Sequence, residues 1–256
     1  MQGVPDARYS GAGRYLRQKY GLTTETWQRP YAEGRVLLID KPLRWTSFDV
    51  VKKVRIATRV SKVGHAGTLD PLATGLLILC TGRMTKEISG YMAQEKEYEA
   101  TFTLGSVTPT YDLESQPEDP KPVEGLTETI IRETAALFTG EQLQVPPAHS
   151  AVKRAGRPAY LDARKGREVV LEPRRIHIRE LEVVRIDMPR VDVRVVCTTG
   201  TYIRSLANDF GLRLGCGAHL SALRRTRIGD FHVSDALTVE AFMARLEQER
   251  NGGQNG

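Results

Sequence analysis

One glycine-framed loop, residues 64–75, constrains this chain more than any other stretch. It leads directly into the apolar run at residues 76–80, which predicts a buried strand. Pro71 keeps Asp70 out of the helical region, so the carboxylate lies on an extended segment at the mouth of that strand. The pattern favours a carboxylate positioned for chemistry, although an ordinary turn in which Asp70 bonds its own backbone is compatible with it.

Positive charge is concentrated in two parts of the chain. The 256 residues carry a formal net charge of +6, and residues 41–65 alone contain seven basic side chains against one acid, Asp49. A second basic block covers residues 153–175. Because apolar residues are interleaved in both blocks, they predict basic faces on folded elements, which suit the phosphates of a nucleic acid.

The cysteines and the hydropathy of the chain indicate the cellular compartment in which we expect the protein. The three cysteines are widely spaced and lack a CxxC pair, which is typical of reduced core thiols. No apolar run has the roughly 20 residues of a membrane helix, and the first residues hold no hydrophobic block. We therefore expect a cytoplasmic protein with no membrane segment.

The periodicity of the chain predicts an α+β fold. Strands are expected at residues 35–40, 76–81, 96–104, 176–186 and 191–197, and helices at 46–59, 84–92, 127–138, 159–165, 200–211 and 238–250. Residues 106–125 are proline-rich and acidic and predict a loop. Frequent strands joined by turns favour a mixed, largely antiparallel central sheet flanked by helices.

The predicted helix at residues 46–59 has an apolar side and a basic side. Val50, Val51 and Val54 fall on one side, and the basic residues fall on or beside the opposite side. These basic residues are Lys52, Lys53, Arg55 and Arg59. One face can therefore pack while the other meets phosphate.

Three further side chains could complete a site around Asp70. Arg204 stands at the start of a predicted helix, where its guanidinium could pair with a carboxylate, although a surface arginine is an open alternative. Tyr98 could equally be a core aromatic of its strand. His65 could pack the loop, act as a base or bind a metal; since no further ligand stands at suitable spacing, we expect no metal.

Taken together, these segments resemble the tRNA pseudouridine synthase B (TruB) family. The matching segments are Gly64-His65-Ala66-Gly67-Thr68-Leu69-Asp70-Pro71, Lys96-Glu97-Tyr98, Gly200-Thr201-Tyr202-Ile203-Arg204 and Leu223-Arg224-Arg225. The resemblance extends from about residue 34 to about residue 242, with the motifs in the family's order. It implies a pseudouridine synthase fold and an isomerase that converts the T-loop uridine U55 of tRNA to pseudouridine.

The resemblance also implies roles for individual residues. Asp70 would be the nucleophile, Arg204 its partner, and Tyr98 the residue that stacks on the flipped uridine and assists proton transfer. His65, Tyr202 and Leu223 would contact the substrate. The implied reaction needs no cofactor and no metal, and it implies a monomer that acts on the T arm of tRNA without an obligatory protein partner.

Some features depart from the family pattern. A further family signature, Ser-Ala-x-Lys, is matched by Ser150-Ala151-Val152-Lys153, and His149 stands where an aromatic often precedes it. Ser115 replaces the usual glycine in the region of Thr108-Pro109-Thr110-Tyr111-Asp112. We expect residues 1–33 to form an N-terminal extension, residues 34–250 the catalytic domain, and no C-terminal RNA-binding domain of the PUA type. Two other interpretations remain open: an RNA-binding or tRNA-folding protein with a structural Asp70, and a synthase of a guide-RNA particle.

Overall fold

The structure, a computed structural model, describes residues 27–150, 153–154, 157–158, 169 and 171–252. The helices in these ranges are Arg29–Glu33 (α1), Ser47–Thr58 (α2), Ile88–Ala93 (α3), Glu128–Ala136 (α4), Ile203–Arg213 (α5) and Val239–Gly252 (α6). The strands are Val36–Lys41 (β1), Val63–His65 (β2), Ala73–Thr81 (β3), Lys96–Leu104 (β4), Gly140–Gln144 (β5), Lys153–Arg154 (β6), Arg157–Pro158 (β7), Arg174–Asp187 (β8), Arg190–Cys197 (β9), Ala218–Ile228 (β10), Phe231–His232 (β11) and Leu237–Thr238 (β12). Among the described helices, none has the length and apolarity needed to span a bilayer.

The described residues fall into two compact units. The first comprises those up to Met92 and those from Asp230 onward. In its sheet, β1 runs antiparallel to β3 and parallel to the short β12, and β2 also pairs with β3 in antiparallel fashion. Strand β3 is buried along almost its whole length, as its apolar sequence predicts.

Helix α2 of the first unit begins with reciprocal capping. The Thr46 hydroxyl accepts a hydrogen bond from the Asp49 amide at 3.0 Å, and the Asp49 carboxylate accepts one from the Thr46 amide at 2.9 Å. These bonds satisfy two amides that the first turn leaves without helical partners. Val50, Val51 and Val54 are buried in an apolar core shared with α6, so the predicted packing face of this helix is confirmed.

The second unit, Ala93–Gly229, is built on a five-stranded antiparallel sheet in the order β10-β4-β9-β8-β5. Helix α5 packs on this sheet, and the centroids of the Phe210 and Phe102 rings lie 5.6 Å apart. The opposite face of β4 is ionic: Arg194 contacts Glu97 at 2.8 Å and Glu180 at 2.6 Å. One face of the sheet therefore belongs to the core and the other to charged side chains.

The largely antiparallel α+β architecture predicted from the sequence is confirmed. Among the described strands of five or more residues, β5 and β10 are not predicted by the pattern, because polar residues interrupt the apolar alternation in both. The segment predicted as a helix around residues 84–92 consists of a 3₁₀ stretch, Gly82–Glu87, followed by α3. The helix predicted at residues 159–165 and most of the second basic block up to residue 170 lie outside the described residues.

Candidate active site

The loop that carries Asp70 is closed tightly between two paired strands of the first unit. It follows His65 at the end of β2 and precedes β3. The Ala66 amide donates to the Ile78 carbonyl at 2.9 Å, and the Ala73 amide donates to the Asp70 carbonyl at 3.0 Å. Gly67 adopts φ 92°, a left-handed conformation that a side chain would strain. The backbone on both sides of the Asp70 carboxylate is thus fixed.

Ser47, the first residue of α2, holds the residue that precedes Asp70. Its hydroxyl accepts a hydrogen bond from the Leu69 amide at 2.9 Å and donates one to the Leu69 carbonyl at 3.1 Å. Both residues are buried. Ser47 is not predicted as a site residue, since its position directly after a helix-capping threonine is the only signal in the sequence that distinguishes it.

Lys41 holds the residue that follows Asp70. Its ammonium group donates to the Trp45 carbonyl at 2.6 Å and to the Pro42 carbonyl at 3.0 Å, and it lies 3.5 Å from the Pro71 carbonyl. The Arg44 amide also donates to the Pro71 carbonyl, at 2.8 Å. The prediction that Lys41 belongs to a basic surface is wrong, because its side chain is fully buried.

In the second unit, Tyr202 and Arg204 stand at the start of α5. Tyr202 is the residue that precedes the helix rather than part of its first turn. The Gln144 side chain holds the backbone there, since its amide oxygen accepts from the Tyr202 amide at 2.8 Å and its nitrogen donates to the Tyr202 carbonyl at 3.0 Å. The first turn of α5 is therefore anchored to the end of β5.

Arg204 is buried, not a surface arginine. Its Nε lies 3.7 Å from the Asp112 carboxylate, and its terminal nitrogens donate to the carbonyls of His149 at 3.1 Å and Thr110 at 3.4 Å. The surface alternative considered for this residue is therefore wrong. Asp112 was missed as a functional candidate, although it ends the Thr108-Pro109-Thr110-Tyr111-Asp112 stretch in the predicted loop.

Ser115 has a defined role in the same loop. Its hydroxyl lies 2.7 Å from the Thr110 hydroxyl and accepts a hydrogen bond from the Thr110 amide at 3.1 Å. These bonds tie the loop beside the carbonyl that Arg204 contacts. The departure from the family's glycine thus adds a local crosslink.

Tyr98 and Leu223 lie on one face of the second unit's sheet. Tyr98 is buried on β4, directly opposite Arg225 of β10, while the half-buried Leu223 is opposite Ala100. Residues that pair directly across antiparallel strands share a face. The structure therefore brings together the predicted stacking residue and the predicted apolar contact, and it adds Arg225, for which the sequence predicts no role.

The predicted site residues are divided between the units. His65 and Asp70 belong to the first, whereas Tyr98, Tyr202, Arg204 and Leu223 belong to the second. The pairing of Asp70 with Arg204 stays a prediction. In the part of the chain that the structure describes, no group of three His, Cys, Asp or Glu side chains is placed to hold a metal ion.

Two protein-family profiles match this chain. The profile of the TruB family pseudouridylate synthase N-terminal domain matches residues 55–203, and that of the tRNA pseudouridylate synthase B C-terminal domain matches residues 204–254. The chain belongs to the TruB family. It is therefore an enzyme of the isomerase class that binds RNA and forms pseudouridine in tRNA.

Individual relatives agree with this assignment. The tRNA pseudouridine synthase B of Flavobacterium johnsoniae is 49% identical over 85% of this chain and 98% of its own length. That of Opitutus terrae is 50% identical over 82% of this chain and 87% of its own length. Among solved structures, a chain in a Cbf5-Nop10-Gar1 complex is similar with a TM-score of 0.70 and 30% identity; the match covers 89% of this chain and 58% of that one.

Proposed function

We propose that this enzyme converts the T-loop uridine U55 of tRNA to pseudouridine, with Asp70 as the nucleophile. The observation that carries the proposal is the rigid loop around Asp70, in which Ser47 fixes Leu69 and Lys41 contacts the carbonyl side of Pro71. A carboxylate held on a fixed backbone loses little freedom when it attacks a bound nucleotide. Asp70 occupies the position of the aspartate in the motif that resembles the family's catalytic one.

The proposed reaction balances without a second substrate. Asp70 attacks the extruded nucleotide covalently, and the glycosidic bond between C1′ and N1 breaks. The uracil turns, a new bond forms between C5 and C1′, and the bond between the nucleotide and Asp70 breaks, which restores the carboxylate. C5 then loses its proton and N1 gains one, so product and substrate have the same composition and no electrons are transferred. This chemistry requires neither a redox cofactor nor a phosphate donor.

Arg204 is proposed to stabilise the Asp70 carboxylate. A guanidinium suits this role because it stays charged and presents a planar set of donors. Its orientation is supported by Asp112 and by the carbonyls of Thr110 and His149. These contacts restrict the side chain before substrate arrives.

Tyr98 is proposed to stack on the flipped uracil and to assist removal of the C5 proton. An aromatic ring with a polar tip can do both. Leu223 supplies an apolar wall on the same sheet face, and the neighbouring register positions support that arrangement. His65 and Tyr202 are proposed to contact nucleotides around the target.

The outer face of α2 is proposed to contact the phosphates of the tRNA. Lys52 and Lys53 are exposed there, and the exposed Arg59 follows as the left-handed C-cap of the helix, with its guanidinium over the Trp27 ring. Arg55 is half-buried and donates to the Val63 carbonyl at 3.1 Å. The acid on this helix, Asp49, is engaged in the helix cap. A row of exposed cations at this end of the unit suits the phosphates of a polyanion.

The enzyme is proposed to act as a monomer, without a guide RNA or protein partner. Its identity to tRNA pseudouridine synthase B of Flavobacterium johnsoniae, 49%, exceeds its 30% identity to the similar chain of the Cbf5-Nop10-Gar1 complex. The test is release of tritium from a tRNA transcript labelled at C5 of uridine, with purified enzyme alone. We expect stoichiometric release from the wild-type transcript and none from a transcript with cytidine at position 55. Equal release from both would contradict the assignment of U55.

A further inference from the structure

Two buried cations lie on the sheet face that carries Tyr98. Lys96 precedes Tyr98 by two residues on β4, and Arg225 of β10 is directly opposite Tyr98. Lys96 is 5% exposed and Arg225 is 1% exposed. Lysine and arginine are almost never fully buried unless their charged groups are engaged. Their placement here therefore indicates a specific role.

A bulge in β10 separates Arg225 from Arg227, so that the two side chains lie on opposite faces of the sheet. The register of β10 against β4 shifts at Thr226, so that Arg225 pairs with Tyr98 while Arg227 pairs with Glu97. In a regular strand, residues two positions apart would share a face. The extra residue instead sends Arg227 to the ionic face, where it contacts Glu95 at 2.9 Å. Bulges beside functional sites commonly redirect a side chain in this way.

Arg225 interacts with the tip of Tyr98. Its guanidinium is hydrogen-bonded to the Tyr98 hydroxyl, and because a guanidinium can only donate, the phenol oxygen is the acceptor. Burial lowers the pKa of Arg225, and the hydrogen bond to Tyr98 opposes that change. Val195 of β9 is opposite Tyr98 on its other side. The ring is therefore enclosed by neighbouring strands and held at its hydroxyl.

We propose that Arg225 is a positioning residue for pseudouridine formation, which donates a hydrogen bond to the Tyr98 hydroxyl and so fixes the ring that contacts the target uracil. This inference rests on the proposed function, in which Tyr98 contacts the base. Arg225 itself touches no reacting atom and acts only through Tyr98. Because the ring is already fixed in the stacking orientation, it loses less conformational entropy when the base binds.

A double-mutant cycle tests the proposal, with single-turnover rates measured at saturating enzyme. We expect Arg225→Gln to slow the reaction by about tenfold or more, with tRNA affinity within about twofold, because it alters the orientation of a reacting group rather than RNA binding. In the Tyr98→Phe background, which lacks the hydroxyl, the same substitution should change the rate by less than about twofold. An equal loss in both backgrounds would overturn the proposal.

Two further variants make the cycle specific. Arg227→Gln, on the opposite face, is the matched control and should leave the single-turnover rate unchanged. Arg225→Lys retains a donor and should recover part of the rate. If Arg225→Gln fails to fold by circular dichroism, Arg225→Lys is used in both backgrounds, and the rate loss should be larger in the wild-type background than in the Tyr98→Phe background. A Tyr98→Phe enzyme as fast as wild type would overturn the role of Arg225 while leaving the Asp70 assignment intact.

Discussion

Arg204 and Asp112 form a buried ion pair in the second unit, with Arg204 Nε 3.7 Å from an Asp112 carboxylate oxygen and each side chain 5% exposed. Asp112 is itself fixed, because its other carboxylate oxygen accepts a hydrogen bond from the Glu114 amide at 3.0 Å. Removal of one partner of a buried pair is costly, since it leaves an uncompensated charge. The pair therefore gives Arg204 a defined orientation that a surface arginine would lack.

Arg204→Lys should reduce turnover much more than tRNA binding. A lysine keeps the charge but cannot reach Asp112 and the two carbonyls with one planar group. We expect the single-turnover rate to fall by about 100-fold or more, or roughly 3 kcal/mol in the barrier, while tRNA affinity changes less than about tenfold. A near-normal single-turnover rate would contradict the role of Arg204.

Ser47→Ala should loosen the loop that carries Asp70. The substitution leaves the buried Leu69 amide without its serine partner, which costs about 1–3 kcal/mol. We expect a lower free energy of unfolding in urea and a lower turnover rate with a small change in tRNA affinity. Exposed Ser61 of the same unit is the control, and Ser61→Ala should be neutral in both assays. Full stability and activity in Ser47→Ala would show that the two hydrogen bonds are dispensable.

Lys96 should make stability depend on pH in the alkaline range. Burial, followed by the nearby charge of Arg225, lowers the pKa of Lys96 to about 8. As pH rises from about 8 to about 10.5, the unfolded chain keeps this proton while the folded chain has lost it, so the free energy of unfolding increases by about 2–3 kcal/mol. Lys96→Met should lack this increase. Parallel pH curves for the two proteins, measured by urea unfolding, would contradict the lowered pKa.

Charge removal on α2 should weaken the salt dependence of tRNA binding. Each phosphate contact contributes roughly 0.7–0.9 to the slope of log K against log salt, so replacement of Lys52, Lys53 and Arg59 by glutamine should reduce the slope by about 2–3. Turnover of saturated enzyme should change little, because these residues position RNA.

The matched control removes three exposed arginines from the second unit, each of which contacts an acid: Arg179, Arg185 and Arg190. It changes the net charge equally and should leave the slope unchanged. Equal slopes for wild type and the α2 variant, with the fold intact by circular dichroism, would assign the α2 cations to solubility alone.

Local sequence signals predicted much of the fold. The capping pair Thr46 and Asp49, the alternation of β4 and the apolar run of β3 each express a short-range rule, and all three elements are present. β10 was not predicted, because its buried face carries Arg225 where a hydrophobic residue is expected. A bulge that reverses the alternation cannot be inferred from residue periodicity alone.

The candidate site could be predicted only where a residue lies in a distinctive motif. Asp70 and Arg204 stand in such motifs, whereas Ser47 and Asp112 act through contacts with residues far along the chain. For Lys41 the local pattern is misleading. A lysine in a basic segment predicts a surface charge, but contacts with backbone carbonyls place this side chain in the interior. Long-range partners of this kind leave no local pattern.

The role of Asp70 as the nucleophile is tested most directly by the amount of pseudouridine that Asp70→Asn forms in a tRNA transcript, measured beside tRNA binding. We expect no product above the uncatalysed background, with tRNA affinity within about tenfold, or roughly 1.4 kcal/mol. Asp119→Asn, at an exposed position in the second unit, should retain wild-type activity. Turnover by Asp70→Asn at even a tenth of the wild-type rate would contradict the assignment of Asp70 as the nucleophile.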